Sequence, residues 1–275
     1  MTKKVNWYIK KAKNWKNLTA PARPWPSEVA WFEKYVLDKK KEGKKDVLIL
    51  GSTVEFRSML HQHKMNVHVV DFSSEFYRIL SKQHMDHEGR EIFYKQNWLT
   101  MNLGKKFDLI FGDWVFGVLN PKDYDNLLKS VAKHLKPGGY FIVRQPVLLA
   151  DKPMDIDKVA REHYKKYAGK YSFYESSAHH VYHYRPSPKT RINDNLDITR
   201  EALKKAYQFG LLRQKDYNFF IKALSFESGT ISVFLKKELE SKIKKYFKII
   251  TEHHGKEASS PWFPIYVMSR KGKGL

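Results

Sequence analysis

The chain has 275 residues, with 51 Lys and Arg against 29 Asp and Glu, a formal charge of +22, and no cysteine. Its length and a hydrophobic fraction of 42% supply a real core, which excludes wholesale disorder. The missing cysteines exclude a disulfide framework, a thiolate zinc site, an iron–sulfur cluster and a cysteine nucleophile, and no apolar run reaches the roughly 18 residues of a membrane helix.

The opening residues, Met1 to Trp7, are basic but lack the apolar stretch and small-residue cleavage site of a secretory leader. A cytoplasmic protein with no membrane partner is the expectation. Arg23-Pro24-Trp25-Pro26-Ser27 predicts a stiff, extended entry to a helix capped by Ser27. From there strands and helices alternate. A buried strand is predicted over 46–51, a helix over 53–63, and a second strand over 66–71 that ends in an acid. Ser73 or Ser74 can cap the next helix, whose Phe76, Tyr77, Ile79 and Leu80 share a face. Strands follow over 91–96 and 107–113. A helix is predicted over 121–136, with Pro121 at its start and Lys136-Pro137-Gly138-Gly139 at its end. A fifth strand follows over 140–144. Residues 151–228 read as helices and loops, and 230–245 as a Lys-rich amphipathic helix. Strands over 247–252 and 264–270 then form a terminal antiparallel pair. Five strands separated by helices imply a doubly wound α/β sheet, and the last pair brings the count to seven.

The predicted division has four parts. An N-terminal helical extension or lid covers 1–45, and a cofactor-binding α/β core covers 46–150. A helical insertion after strand five, over 151–228, carries the acceptor site. A helix and the last two strands of the core fill 229–275.

Net charge is +9 over 1–45, +2 over 46–150 and +11 over 151–275. Basic flanks around a near-neutral middle leave RNA or an anionic substrate open as a partner. Against that, 40 of the 51 cations are lysine, whereas phosphate clamps favour arginine.

In open α/β sheets the ligand sits beyond the carboxyl ends of the strands, so the strand ends are the residues of interest. Gly51 ends the first strand. Asp71 ends the second, 20 residues on, where an acid can accept hydrogen bonds from both hydroxyls of a ribose. As a turn cap it would serve structure alone. The loop Gly51-Ser52-Thr53-Val54-Glu55 lacks the further glycines that let backbone approach a pyrophosphate, and Glu55 would repel one. A nucleoside without phosphate fits this loop better than a dinucleotide.

These segments resemble the class I S-adenosylmethionine-dependent methyltransferases over roughly 46–145 and the terminal strands. Residues 46–51 look like the family's first motif. Val69-Val70-Asp71-Phe72 resembles the second, which implies Asp71 on the ribose and Phe72 beside the adenine. Lys95-Gln96-Asn97-Trp98 resembles the segment after strand three, which implies Asn97 on the adenine amino group. Asp108 to Asp113 resembles the fourth motif, placing Gly112 and Asp113 near the methionine part. Leu135-Lys136-Pro137-Gly138-Gly139-Tyr140 resembles the turn before strand five. The resemblance implies a Rossmann-like seven-stranded sheet, S-adenosyl-L-methionine as cofactor, and direct in-line methyl transfer. Gly51, Ser52, Thr53, Asp71, Phe72, Asn97, Trp98, Gly112 and Asp113 would form the cofactor site. Arg23 is the candidate for the cofactor carboxylate. The chain departs from the family in its reduced glycine turn. Gly112-Asp113-Trp114-Val115 also differs from the motif of enzymes that methylate exocyclic amines of DNA bases, and cytosine-C5 chemistry is excluded because it needs a cysteine.

His179, His180 and His183 in the insertion are the candidate bases, for an acceptor that must lose a proton. His179 and His183 would share a helix face, but no acid accompanies them and Arg185 opposes a cation, so no metal site is expected. Seven aromatic residues between Tyr164 and Tyr184 can line an acceptor pocket or form the insertion's own core. A small-molecule acceptor is the favoured expectation. An RNA methyltransferase, or an inactive cofactor-binding partner subunit, is the alternative, and the oligomeric state is not legible.

Overall fold

The computed structural model describes residues 9–84, 90–151, 155–182, 191–193, 196–225 and 231–272. Helix α1 (Pro26–Lys41) leads into β1 (Asp46–Leu50), α2 (Val54–Gln62), β2 (Asn66–Asp71), α3 (Ser74–His84) and β3 (Glu91–Lys95). Then come β4 (Phe107–Asp113), α4 (Tyr124–His134) and β5 (Leu135–Arg144). Four further helices follow: α5 (Ile156–Glu162), α6 (Phe173–Tyr182), α7 (Leu196–Gln208) and α8 (Gln214–Ser225). Helix α9 (Lys236–Ile243) precedes β6 (Phe247–His253) and β7 (Ile265–Arg270). Among the described residues, no helix is long and apolar enough to cross a membrane.

The main sheet has the order β6-β7-β5-β4-β1-β2-β3. Strand β7 runs antiparallel to both β5 and β6, and the other pairs are parallel. The chain winds from β1 outward to β3, then crosses back to β4 on the other side of β1. The loops after β1 and β4 therefore diverge, which opens a crevice at the carboxyl edge. Alternation along β1 supplies two cores. Val47 and Ile49 pack under Phe32 of α1 and Phe56 of α2, while Leu48 and Leu50 face Leu128 and Val131 of α4 and the Leu239–Ile243 side of α9. Both faces are covered, which is why the strand reads as an unbroken apolar run.

Three expected boundaries move. Ser27 does not cap α1. The helix starts at Pro26, and Glu28 accepts the Trp25 N–H at 2.7 Å, while the Ser27 hydroxyl donates to Glu257 at 2.6 Å. The predicted helix over 121–136 is a 3₁₀ turn, Pro121–Asp123, followed by α4, and β5 begins at Leu135 rather than 140. The glycines lie inside β5 because its register with β4 shifts near Phe107. A Cβ at Gly139 would stand 2.7 Å from the Asp108 carbonyl oxygen, so only glycine fits there. Finally, Ile231-Ser232-Val233-Phe234-Leu235 is not the start of a helix. Ile231–Ser232 pairs with Ile192–Asn193, and Phe234–Leu235 with Val147–Leu148, as β-branched apolar runs tend to do.

The helices after β5 enclose a second core containing Val159, Phe173, Tyr174, Leu203 and Phe220. Phe173 and Tyr174, two of the aromatics open to a pocket role, are buried there. His179 and His180 lie on α6, with their side chains outside the described residues, and His183 and Tyr184 fall outside altogether.

Candidate functional site at the carboxyl edge

Four strand ends meet at this edge. After β1 the backbone turns through Gly51 at φ +92°, a left-handed value that suits glycine. A Cβ on Gly51 would lie 3.5 Å from the Trp98 ring, whose Nε1 donates to the Val70 carbonyl at 2.9 Å. Trp98 thus braces the turn from β3's side. Ser52 and Thr53 are buried behind it.

Asp71 is 4% exposed at the end of β2. Its Oδ2 accepts the Ser52 hydroxyl at 2.9 Å and its Oδ1 accepts the Ser73 N–H at 3.0 Å. Burial pushes its pKa from the ordinary 3.8 up to about 6, against the pull of these donors, the Phe72 N–H and the Arg57 charge. Phe72 beside it is 43% exposed, a large ring left at the rim of the edge. Ser73, as expected, caps α3: its hydroxyl accepts the Phe76 N–H at 3.1 Å.

The buried carboxylate carries a pH signature. Its folded pKa lies above the unfolded one, so Asp71 favours folding when protonated. That stabilisation is complete below the ordinary value and is lost as the pH rises through about 6. Asp71→Asn, which cannot ionise, is therefore expected to gain on the parent chain between about pH 4 and about pH 7, by up to about 3 kcal/mol. Urea titrations at several pH values measure this. A difference that stays flat would show Asp71 ionising as freely as in the unfolded chain.

At the end of β4, Asp113 is committed to a buried ion cluster. Arg144, at the end of β5 and 0% exposed, donates from one Nη to Asp113 at 2.9 Å and from the other to the Pro21 carbonyl at 3.0 Å. Its Nε lies 2.7 Å from Glu28 Oε2, an ion pair rather than an aligned hydrogen bond. Burial raises the pKa of both Glu28 and Asp113, with Arg144 opposing. Trp114 follows at φ +57°, unusual for a bulky residue, and stacks on Phe263 at 5.7 Å. Gly112 is packed tightly, since a Cβ there would stand 2.7 Å from Val115 Cγ1.

The N-terminal segment lies along the same edge. Trp15 and Leu18 pack with Val54 of α2 and Phe76 of α3, just beyond the loops that follow β1 and β2. Arg23 pairs with Glu55 in the first turn of α2 and also donates to the carbonyls of Trp15 and Leu18.

The structure therefore brings together Gly51, Ser52, Asp71, Trp98 and, at the rim, Phe72. Asn97 is exposed, and its Oδ1 accepts the Leu99 N–H at 3.0 Å. Asp113 and Arg23 both stand at the edge already ion-paired. Sequence reasoning missed Arg144 as the cation shared by Asp113 and Glu28, and Trp114 as a strained residue. The signal was a lone arginine ending the apolar run Tyr140 to Val143.

Residues 50–139 match a family model described as a methyltransferase domain. No curated protein matches the chain in sequence. Among solved structures, a chain from Rhodobacter sphaeroides described as a Zn-dependent alcohol dehydrogenase is 14% identical, with TM-score 0.61, covering 98% of this chain and 100% of that one. The CcbJ methyltransferase from Streptomyces caelestis is 12% identical, with TM-score 0.58 and coverage of 97% and 98%. The glycopeptide N-methyltransferase MtfA, complexed with S-adenosyl-L-methionine, is 11% identical, with TM-score 0.54 and coverage of 93% and 100%. At such identities the likeness is one of fold. Strand order and the carboxyl-edge site agree with the methyltransferase domain matched over residues 50–139, and the fold is that of the class I S-adenosylmethionine-dependent methyltransferases.

Proposed function

We propose that the chain transfers a methyl group from S-adenosyl-L-methionine directly to a small-molecule acceptor. The residues at the edge fit the nucleoside half of that cofactor. The Asp71 carboxylate accepts from Ser52, Ser73 and Phe72 and can still take hydrogen bonds from ribose hydroxyls. The exposed Phe72 ring offers an apolar face to an adenine. Bound there, the cofactor supplies a methyl carbon already activated by its sulfonium. The protein's share is alignment, which can lower a barrier by about 7–11 kcal/mol. Arg144 fixes Asp113 and the end of β4, and Trp114 walls the transfer region.

The observation that carries the small-molecule reading is Trp114. It stacks on Phe263 at the site and also packs against the second core, so the insertion is seated on the carboxyl edge. An insertion in that position favours an enclosed acceptor over an extended one. The glycopeptide acceptor named for the similar MtfA is in keeping with this.

Labelled S-adenosylmethionine incubated with the protein and fractionated cell extract tests the proposal. Label is expected in the low-molecular-weight fraction. Label in RNA would overturn it in favour of an RNA methyltransferase. Cofactor binding with no transfer to any fraction would favour an inactive partner subunit.

A further inference from the structure

The turns that enter the strands carry a charge pattern that the order of the sequence hides. Lys45 precedes β1, Lys64 precedes β2, Arg90 precedes β3 and Lys106 precedes β4, and all four are exposed. Lys136 is the second residue of β5, and Lys245 precedes β6. Strand β7 runs the other way, so its end returns to this side, where the Lys271 N–H donates to the Tyr246 carbonyl at 3.3 Å. Every strand of the main sheet thus has a lysine or arginine within two residues of its end at the amino edge.

The acids at this edge are already engaged. Asp46 accepts from Lys105 at 2.9 Å and from Lys136 at 2.8 Å, and Asp108 accepts from Lys136 at 3.0 Å. Glu42 pairs with Lys39 and Lys44, and Asp125 stands 3.8 Å from Lys245. Lys45, Lys64, Arg90, Lys106 and Lys271 remain as a row of exposed cations. At the opposite edge β2 and β4 end instead in Asp71 and Asp113. The net +2 of residues 46–150 is therefore folded into two unlike edges.

Seven strands about 4.8 Å apart make the amino edge about 29 Å long. Cations in such a row repel one another, and a polyanion laid along them relieves the repulsion. A membrane-binding surface also needs apolar anchors, and a surface for unstacked bases needs aromatic rings. Among the described residues, the turns at Lys45, Lys64, Arg90 and Lys106 expose neither. Lysine predominates, a point charge suited to phosphate without sequence preference. These features fit a phosphate backbone whose bases are already stacked, and folded RNA is the commonest polymer of that kind in a cell. Strand β1, with five residues, sets the two edges about 17 Å apart, so RNA held here stays clear of Asp71 and the crevice.

We propose that the amino edge docks folded RNA through its phosphate backbone, on the side of the sheet away from methyl transfer. RNA is on this reading a partner that localises the protein, and the methyl acceptor is a separate molecule.

Fluorescence anisotropy of the full chain with a labelled RNA hairpin of about 20 base pairs, at several salt concentrations, provides the test. Lys45→Gln, Lys64→Gln, Lys106→Gln and Lys271→Gln are combined in one variant. A matched variant carries Lys204→Gln, Lys205→Gln, Lys215→Gln and Lys222→Gln on α7 and α8, where these lysines are also exposed, and so loses the same charge. The edge variant is expected to bind the hairpin at least about tenfold more weakly, with a salt dependence shallower by about 2–4 in log–log slope. The matched variant should stay within about threefold of the parent, and neither should change S-adenosylhomocysteine binding or thermal melting. Equal weakening in both variants would reduce the effect to net charge and overturn the proposal, as would no weakening in the edge variant or a parent that does not bind the hairpin. Tighter binding to phosphatidylserine vesicles, or to a DNA duplex of the same sequence, would assign the edge to a membrane or to DNA and overturn it as well.

Discussion

Arg144→Met is expected to destabilise the protein by about 3–5 kcal/mol at neutral pH, the usual cost of removing one partner from a buried ion cluster. Arg144 is the shared cation of Glu28 and Asp113, which approach it from α1 and from the end of β4. Methionine fills much of the same volume but leaves two carboxylates in a site that already disfavours their ionisation. Both have folded pKa values above their unfolded ones, so each favours folding when protonated and loses that contribution as the pH rises. The penalty should therefore shrink as the pH is lowered toward the ordinary carboxylate range. Adding Glu28→Gln and Asp113→Asn to Arg144→Met should restore much of the loss. Urea denaturation of the three proteins measures this. A loss below about 1 kcal/mol for Arg144→Met would show the carboxylates reaching water.

Asp71→Ala is expected to weaken cofactor binding by roughly 2–4 kcal/mol, or about 30- to 1,000-fold, because two charge-assisted hydrogen bonds to the ribose are lost together. Asp71→Asn keeps one acceptor oxygen and should fall between. Both should weaken S-adenosylhomocysteine and 5′-methylthioadenosine alike, since those ligands share the nucleoside. Calorimetry on folded protein decides. Unchanged affinity in Asp71→Ala would reduce Asp71 to a cap for the turn at Ser73, and the placement of the cofactor site would be withdrawn.

The seven-stranded sheet was legible because parallel strands covered on both faces must be apolar throughout, as in Val47-Leu48-Ile49-Leu50. Asp71 was legible for the same reason, since an acid stands out at the end of such a run. Segments governed by distant partners were not. Ser27 has the composition of a cap, yet Glu257, 230 residues away, takes its hydroxyl. Residues 231–235 look helical beside Lys236–Ile243 until Val147 and Ile192 offer strands to pair with. Arg144 gives no local hint that Glu28 will cover it. The aromatic crowd between Tyr164 and Tyr174 was ambiguous because core and pocket ask for the same residues. Packing resolved Phe173 and Tyr174 toward core.

Helix α1 and the segment before it also bear on the order of synthesis. Glu28 and the Pro21 carbonyl wait for Arg144, the latter across 123 residues, and the Trp31 indole waits for the carbonyl of His254 across 223. On a ribosome the segment that roofs the site emerges early, but the groups that hold it emerge with β5 and the hairpin of β6 and β7. Such distant closures are slow and yield their stabilisation only once complete. A nascent chain can therefore lay down β1 to β4 with their helices before the roof has anything to close on. The carboxyl edge is assembled last, when early and late parts of the chain meet.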